Sequence, residues 1–229
     1  DLFLMKIRQY QIDAFTKTLF KGNPAAVCPL ETWLADATLL SIAAENNLSE
    51  TAFFIPSERG FHLRWFTPTV EVDLCGHATL ATAHLLFNIL GYPKETLLFE
   101  TRSGDLIAER QGELIAIDTP ASSPHPCPTP DLLVEGLGRP PVEVLAAEDY
   151  IAVFDFEEDI VAIEPNFTLL KQLDRRGVVV TASGHTADIV SRFFAPKFGI
   201  LEDPVTGSAH CQLAPYWQGR LRKSKFFAK

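Results

Sequence analysis

No stretch of this chain approaches the ~20 consecutive apolar residues of a membrane-spanning helix, so no helical anchor is expected within it. Cysteine is scarce. Cys28, Cys75, Cys127 and Cys211 are too few in 229 residues for a disulfide scaffold, and they lack the short spacing of a zinc knuckle. Basic charge is also short: 20 Lys and Arg stand against 29 Asp and Glu, a formal net charge of −9. That balance argues against nucleic acid or an anionic membrane surface as a main partner. A small anion remains open, because a helix dipole or a histidine acts locally against the net field. The start, Asp1-Leu2-Phe3-Leu4, has neither the basic region nor the long apolar stretch of a signal peptide, and Met5 reads as a candidate natural start. A cytoplasmic location is the expectation. His62, His84, His125, His185 and His210 lack metal-ligand spacing, and no P-loop or dinucleotide fingerprint is found. No metal and no cofactor are therefore expected.

What is present is a globular composition, 47% hydrophobic and 21% charged, long enough to bury a core without staples. Two glycine-centred turns stand out: Asp73-Leu74-Cys75-Gly76-His77-Ala78-Thr79 and Asp203-Pro204-Val205-Thr206-Gly207-Ser208-Ala209-His210. Each follows an extended run ending in an acid, and each opens an apolar, helix-like run. The pair suggests a duplicated unit with two helix N-termini. Such ends carry unpaired N–H groups and partial positive charge, suited to a carboxylate or an enolate-like intermediate.

Periodicity predicts strands over Met5 to Asp13, Thr51 to Ile55, Phe61 to Phe66, Thr96 to Thr101, Leu106 to Arg110 and Leu114 to Asp118. Gly22-Asn23-Pro24 reads as a turn and Ala35 to Asn46 as an amphipathic helix. The helix from Gly76 to Leu90 has almost no polar face, so it should be buried, with a wrapped β-layer as the available wrapper. Thr119 to Pro130 holds five prolines and is the best linker candidate, predicting domains over 1–118 and 119–229. Beyond it, strands are predicted over Tyr150 to Phe154, Gly177 to Ala182 and Ile189 to Phe194, and a short helix over Phe167 to Leu173.

Five motifs, in order, carry a resemblance. They are Gly22-Asn23-Pro24-Ala25-Ala26-Val27; Asn47-Leu48-Ser49-Glu50-Thr51-Ala52-Phe53; Arg64-Trp65-Phe66-Thr67-Pro68; Cys75-Gly76-His77-Ala78-Thr79; and Glu202-Asp203-Pro204-Val205-Thr206-Gly207-Ser208-Ala209. Together, from about Met5 to about Trp217, they resemble the phenazine biosynthesis PhzF-like proteins of the diaminopimelate-epimerase-like superfamily. The resemblance implies an α+β fold of two similar domains, each a curved, mostly antiparallel sheet around a central helix, with the active site in the cleft between them. It implies an isomerase that needs no cofactor, acts on a small anionic metabolite and forms a homodimer. Glu50 would shuttle the proton, with His77 and Asp203 as further catalytic residues. Asn23, Ser49, Gly76, His77, Gly207 and Ser208 would bind substrate. Two departures bear on this. Family members usually run past the position of Lys229 with further strands, so open sheet edges are expected here. The superfamily's two-thiol epimerases place a cysteine before each glycine. Cys75 keeps the first position and Thr206 replaces the second, which disfavours a symmetric two-thiol mechanism.

Each residue also has a plainer reading. From position alone, Glu50 is either an acid–base group tuned by partial burial or a strand-edge acceptor. His77 is either a proton relay or a core and capping histidine. Asp203, Gly207 and Ser208 read equally as ordinary helix capping. Cys75 reads as a small buried residue before it reads as a thiolate base. Two rivals to the isomerase remain: a one-base epimerase or dehydratase using Cys75, and a non-catalytic small-molecule-binding protein.

Overall fold

Successive strand residues point to opposite faces, and here both faces are apolar, so each sheet has to be covered twice. The computed structural model describes residues 6–229; Met5 as a start lies outside the described residues. The chain divides into two compact units, one running to Thr119 and the other from Pro120. No helix among the described residues is long and apolar enough to cross a membrane.

The first unit holds β1 (Tyr10–Ala14), β2 (Asn23–Pro29), α1 (Asp36–Asn46), β3 (Glu50–Pro56), β4 (Phe61–Phe66), β5 (Glu71–Val72), α2 (Gly76–His84), β6 (Thr96–Thr101), β7 (Gly104–Gln111) and β8 (Leu114–Asp118). Across the sheet the order is β1–β2–β3–β4–β6–β7–β8, with β5 also on β4. β2–β3 and β4–β6 run parallel, each joined through a helix, and the other pairs are antiparallel. α1 covers one face, laying Leu39 and Ala43 on Cys28, Phe53 and Phe66. On the other face α2 touches β1, β2, β3 and β8. Because β1 and β8 end the strand order, the sheet is rolled around this helix. Ala78, Thr79, Ala81, Thr82 and Ala83 are small and buried, which lets the strands come close. The Thr79 and Thr82 hydroxyls donate to the carbonyls of Cys75 and Ala78, so their burial leaves no hydroxyl unsatisfied. A π-helical turn, Leu85–Ile89, continues the helix. Burial holds to Phe87 and fails beyond it, where Ile89 and Leu90 are exposed.

The second unit holds β9 (His125–Pro126), α3 (Asp131–Leu137), β10 (Glu143–Ala146), β11 (Tyr150–Val153), α4 (Glu157–Val161), α5 (Phe167–Leu170), β12 (Val178–Ser183), β13 (Ile189–Ala195), β14 (Ile200–Asp203) and α6 (Gly207–Leu221). The order is β14–β13–β12–β11–β10–β9, with β11–β12 parallel and the other pairs antiparallel. α6 buries Ala209, Leu213 and Trp217 against Ile151, Val153, Val179 and Phe193. On the opposite face Leu133, Ile160 and Leu170 from α3, α4 and α5 cover Ala152, Val178, Val180 and Phe194.

The hydrogen-bond register aligns the two units residue by residue. Val72 lies four residues before Gly76 and pairs with Trp65; Trp65 pairs with Ala52, and Ala52 with Val27. Asp203 lies four residues before Gly207 and pairs with Phe193; Phe193 pairs with Val179, and Val179 with Ile151. Both chains of partners face the glycine-started helix. After α2, β6 joins β4 in parallel; after α6, Ala228 bridges Ile189 of β13 in parallel. Lys229 extends that pairing, donating to the Ile189 carbonyl at 3.0 Å and accepting from the Ser191 N–H at 2.8 Å.

Some local expectations need correction. Regular pairing starts at Tyr10 rather than near Met5, and Asn23 and Pro24 open β2 instead of forming a turn. Part of the proline-rich stretch is in the sheet, since β9 pairs with β10.

The rolled sheet yields a direct test. Ala81 is 1% exposed, and leucine there adds three carbons with nowhere to go. Ala81→Leu is expected to lose about 1–3 kcal/mol, the usual cost of overpacking, read as a lower urea midpoint. An unchanged midpoint would mean that the strands do not enclose α2 as described.

Candidate active site

Glu50 opens β3, a strand with neighbours on both sides, so it is not an edge acid. Its direction follows from alternation. Ala52 and Phe54 face α2, whereas Phe53 faces α1; Glu50 shares the parity of Ala52 and so faces α2. Its side chain is 13% exposed. Asn23 has the parity of Ala25 and Val27 on the adjacent strand, faces α2 as well, and is fully buried. Ser49 precedes Glu50 and is half-buried.

His77 is the second residue of α2 and is 3% exposed. Its Nε2 lies 3.5 Å from Glu50 Oε2, and its Nδ1 lies 3.4 Å from Cys75 Sγ. The Nε2 contact is close but makes no aligned hydrogen bond. Burial pushes the imidazole pKa down to about 4, with a backbone hydrogen bond to Pro24 pulling the other way. A carboxylate at this distance favours imidazolium, yet burial prevails, so His77 is neutral near pH 7. Cys75, the N-cap residue, is buried and extended, and its side chain does not cap the helix. Donor atoms of Glu50, Cys75 and His77 all lie within 4.8 Å of one another, the arrangement of a metal-ligand group. Sequence spacing missed this because Glu50 arrives from a different strand.

In the second unit Asp203 ends β14 and accepts from the Thr206 hydroxyl at 2.5 Å. Gly207 and Ser208 open α6, and Thr206 does not cap it. Register places Gly177 where the first unit has Glu50, Thr206 where it has Cys75, and Ser208 where it has His77. A Cβ on Gly177 would lie 2.6 Å from the Phe193 ring and 2.7 Å from the Phe194 carbonyl oxygen. No side chain fits there, so the second unit has no counterpart of Glu50.

A polar network missed by the sequence reading stands beside it. Arg176 Nε donates to Asp149 Oδ1 at 2.9 Å, and Arg176 Nη2 donates to the Ser208 hydroxyl at 3.1 Å. Gln212 Nε2 donates to Asp149 Oδ2 at 2.6 Å, while its Oε1 accepts from the Asp149 N–H at 3.1 Å. Asp149 is fully buried. Burial opposes the Arg176 charge, but the hydrogen bonds and charge of Asp149 outweigh it and raise the guanidinium above its ordinary range. The available sequence signal was Arg175-Arg176-Gly177 ahead of an apolar strand, in the register of Ser49-Glu50.

A sheet rolled on a glycine-started helix, with the same topology repeated in one chain, defines the diaminopimelate-epimerase-like α+β fold, and its similarity to three curated proteins named as isomerases makes the chain an enzyme of that class. A family model of phenazine biosynthesis-like proteins (PhzC-PhzF) matches residues 12–228, and the chain belongs to that family. An uncharacterised isomerase of Pseudomonas aeruginosa is 54% identical over 225 residues, covering 98% of this chain and 87% of the relative. The crystal structure of a PhzF-family phenazine biosynthesis protein from Enterococcus faecalis superposes with a TM-score of 0.92 at 47% identity, covering 98% of this chain and 86% of that one. A hydroxyproline epimerase from Agrobacterium vitis, at 11% identity and a TM-score of 0.59 over 95% of this chain and 78% of that one, shares the fold alone.

Two measurements follow. Between about pH 4 and 6.5 the unfolded chain protonates His77 and the folded chain does not, so its contribution to stability rises with pH across that window and is lost as pH falls. In chelator-treated buffer, His77→Asn should flatten the pH dependence of unfolding free energy by up to roughly 3 kcal/mol; parallel curves for parent and variant would contradict a buried neutral ring. Asp149→Ala strands the Arg176 charge and should cost on the order of 3 kcal/mol, the low end for a buried pair because the Arg176 side chain keeps 29% exposure. A loss under ~1 kcal/mol would mean that the guanidinium swings into water.

Proposed function

We propose that the chain is a cofactor-independent isomerase that moves a proton between carbons of a small carboxylate-bearing metabolite, with Glu50 as both base and acid. The observation that carries this reading is the Glu50 carboxylate 3.5 Å from the neutral, buried imidazole of His77 at the start of α2. A carboxylate so placed can take a proton from carbon and return it at a second carbon of the same bound molecule. His77 donates to, or relays a proton for, an oxygen that gains charge as the C–H bond breaks. The start of α2 at Gly76 offers backbone N–H groups to a carboxylate; Gly207 and Ser208, at the start of α6, keep the substrate-binding role that the family resemblance implies. Asn23 and Ser49 would bind substrate near Glu50, and Asp203 keeps the catalytic role that the resemblance implies, orienting a substrate amine or hydroxyl. The glycine at the Glu50-equivalent position in the second unit favours one carboxylate working alone over a two-base exchange.

The contact of Cys75 Sγ with His77 Nδ1 at 3.4 Å supports a second reading, a one-base epimerase or dehydratase using the thiol. Hydrogen exchange in heavy water separates the two. Carboxylate metabolites with an acidic C–H would be incubated with enzyme and followed by mass. Glu50→Gln should slow deuterium uptake by on the order of 10²-fold or more with binding largely kept, His77→Ala should weaken both binding and rate, and Cys75→Ala should cost little. Fast exchange in Glu50→Gln together with its loss in Cys75→Ala would establish the thiol mechanism instead.

A further inference from the structure

Glu50, Cys75 and His77 present one carboxylate oxygen, one thiol sulfur and one imidazole nitrogen to a shared space, all within 4.8 Å of one another. Three different donors converging at a buried point is more than proton transfer needs. A carboxylate and an imidazole suffice for that chemistry, and the sulfur is extra. The donors stand up to 4.8 Å apart, somewhat wider than in a formed tetrahedral zinc site. With Zn–S about 2.3 Å and Zn–N or Zn–O about 2.0–2.1 Å, neighbouring donors stand about 3.3–3.6 Å apart. Sγ stands 3.4 Å from one ring nitrogen, Nδ1, and Oε2 stands 3.5 Å from the other, Nε2. The ring gives an ion only one nitrogen, so the remaining separation has about an ångström to close. His77 Nε2 is fully buried and makes no aligned hydrogen bond, with Glu50 Oε2 3.5 Å away.

We infer that this triad is an inhibitory binding site for a thiophilic divalent cation, zinc above all, which competes with the substrate for the proton-transfer groups. Softness of the donors sets the selectivity: thiolate and imidazole favour zinc over magnesium or calcium, which prefer all-oxygen shells. On binding, the Cys75 S–H gives its proton to solvent, the S–Zn bond forms, and the hydrated ion gives up waters to the imidazole nitrogen and the carboxylate. No electron changes hands. The Glu50 lone pair that would take the substrate proton is then held by the ion, so binding and turnover exclude each other. That consequence for turnover rests on the proposed role of Glu50; the binding itself does not.

The test uses the intact chain and the metal alone. Zinc would be titrated against a chromogenic chelator, and cobalt(II) would be added separately as a spectroscopic probe. One zinc per chain is expected, with release of about one proton. Cobalt should show an intense near-ultraviolet thiolate-to-metal charge-transfer band. Cys75→Ala should abolish that band and weaken zinc by at least on the order of 10- to 100-fold, the cost of losing even a supporting group of a zinc site. Replacing the partly exposed thiols Cys127 and Cys211 with serine should leave both readouts unchanged. A cobalt complex of the parent without a thiolate band, or zinc binding that follows Cys127 and Cys211 instead of Cys75, overturns the inference. The parent's spectrum decides even if a variant fails to fold. The isomerase reading is judged apart, by exchange in heavy water without metal: zinc binding with exchange intact in Glu50→Gln keeps the metal site and removes the proton-shuttle role.

Discussion

Everything at the candidate site depends on how closely the first sheet can roll around α2. A helix enclosed by strands on several sides must be narrow, and alanine and threonine make it so. It must also satisfy its own polar groups, and it does: the Thr79 and Thr82 hydroxyls bond back to carbonyls one turn earlier. Such back-bonding usually goes with bent helices, and α2 passes into a π-helical turn at Leu85. There Arg110 reaches over from β7, donating to the Phe87 carbonyl and the Asn88 side chain, and stacks on the Phe87 ring. With its far end tied this way and its flanks packed, α2 has little freedom to slide. Its first turn is therefore fixed against β2 and β3, which is what brings His77 to Glu50.

The two units show one scaffold put to different chemical uses. Parallel pair, hairpin, short strand and glycine-started helix recur in the same order with the same register. The first unit spends its matching positions on an acid, a thiol and an imidazole. The second spends them on a glycine, a threonine and a serine, and places a buried aspartate–arginine pair alongside. That pair is costly to bury and gains its stability from full hydrogen bonding, with Gln212 and Ser208 completing the set.

Much of the architecture was legible in the sequence because long strands and helices carry strong periodicity. Phe61–Phe66, Thr96–Thr101 and the starts of the two glycine-started helices were read nearly to the residue. Short elements were not: β10 and α3 are too brief for a period to emerge, and β9 sits in a proline-rich stretch whose composition says linker. Motifs pointed to Glu50 and His77 separately. Their meeting depends on strand parity and helix placement together, which no linear spacing encodes. Asp149 and Arg176 were invisible for a related reason. A buried ion pair between residues 27 positions apart in sequence looks, on paper, like two ordinary surface charges.

The alternation that aims Glu50 at α2 also aims Ala52 and Phe54 into the core, so the Glu50–His77 contact and the core packing share one reading frame along β3. Adding or deleting a single residue inside that strand would turn the acid away from the imidazole and, by the same half-rotation, drive Phe53 toward the packed helix and Phe54 out of it. A single-residue change there could not be neutral for one property and harmful for the other. The second unit meets the same constraint with a different residue: its strand keeps the register and is led by a glycine at position 177, where no side chain fits.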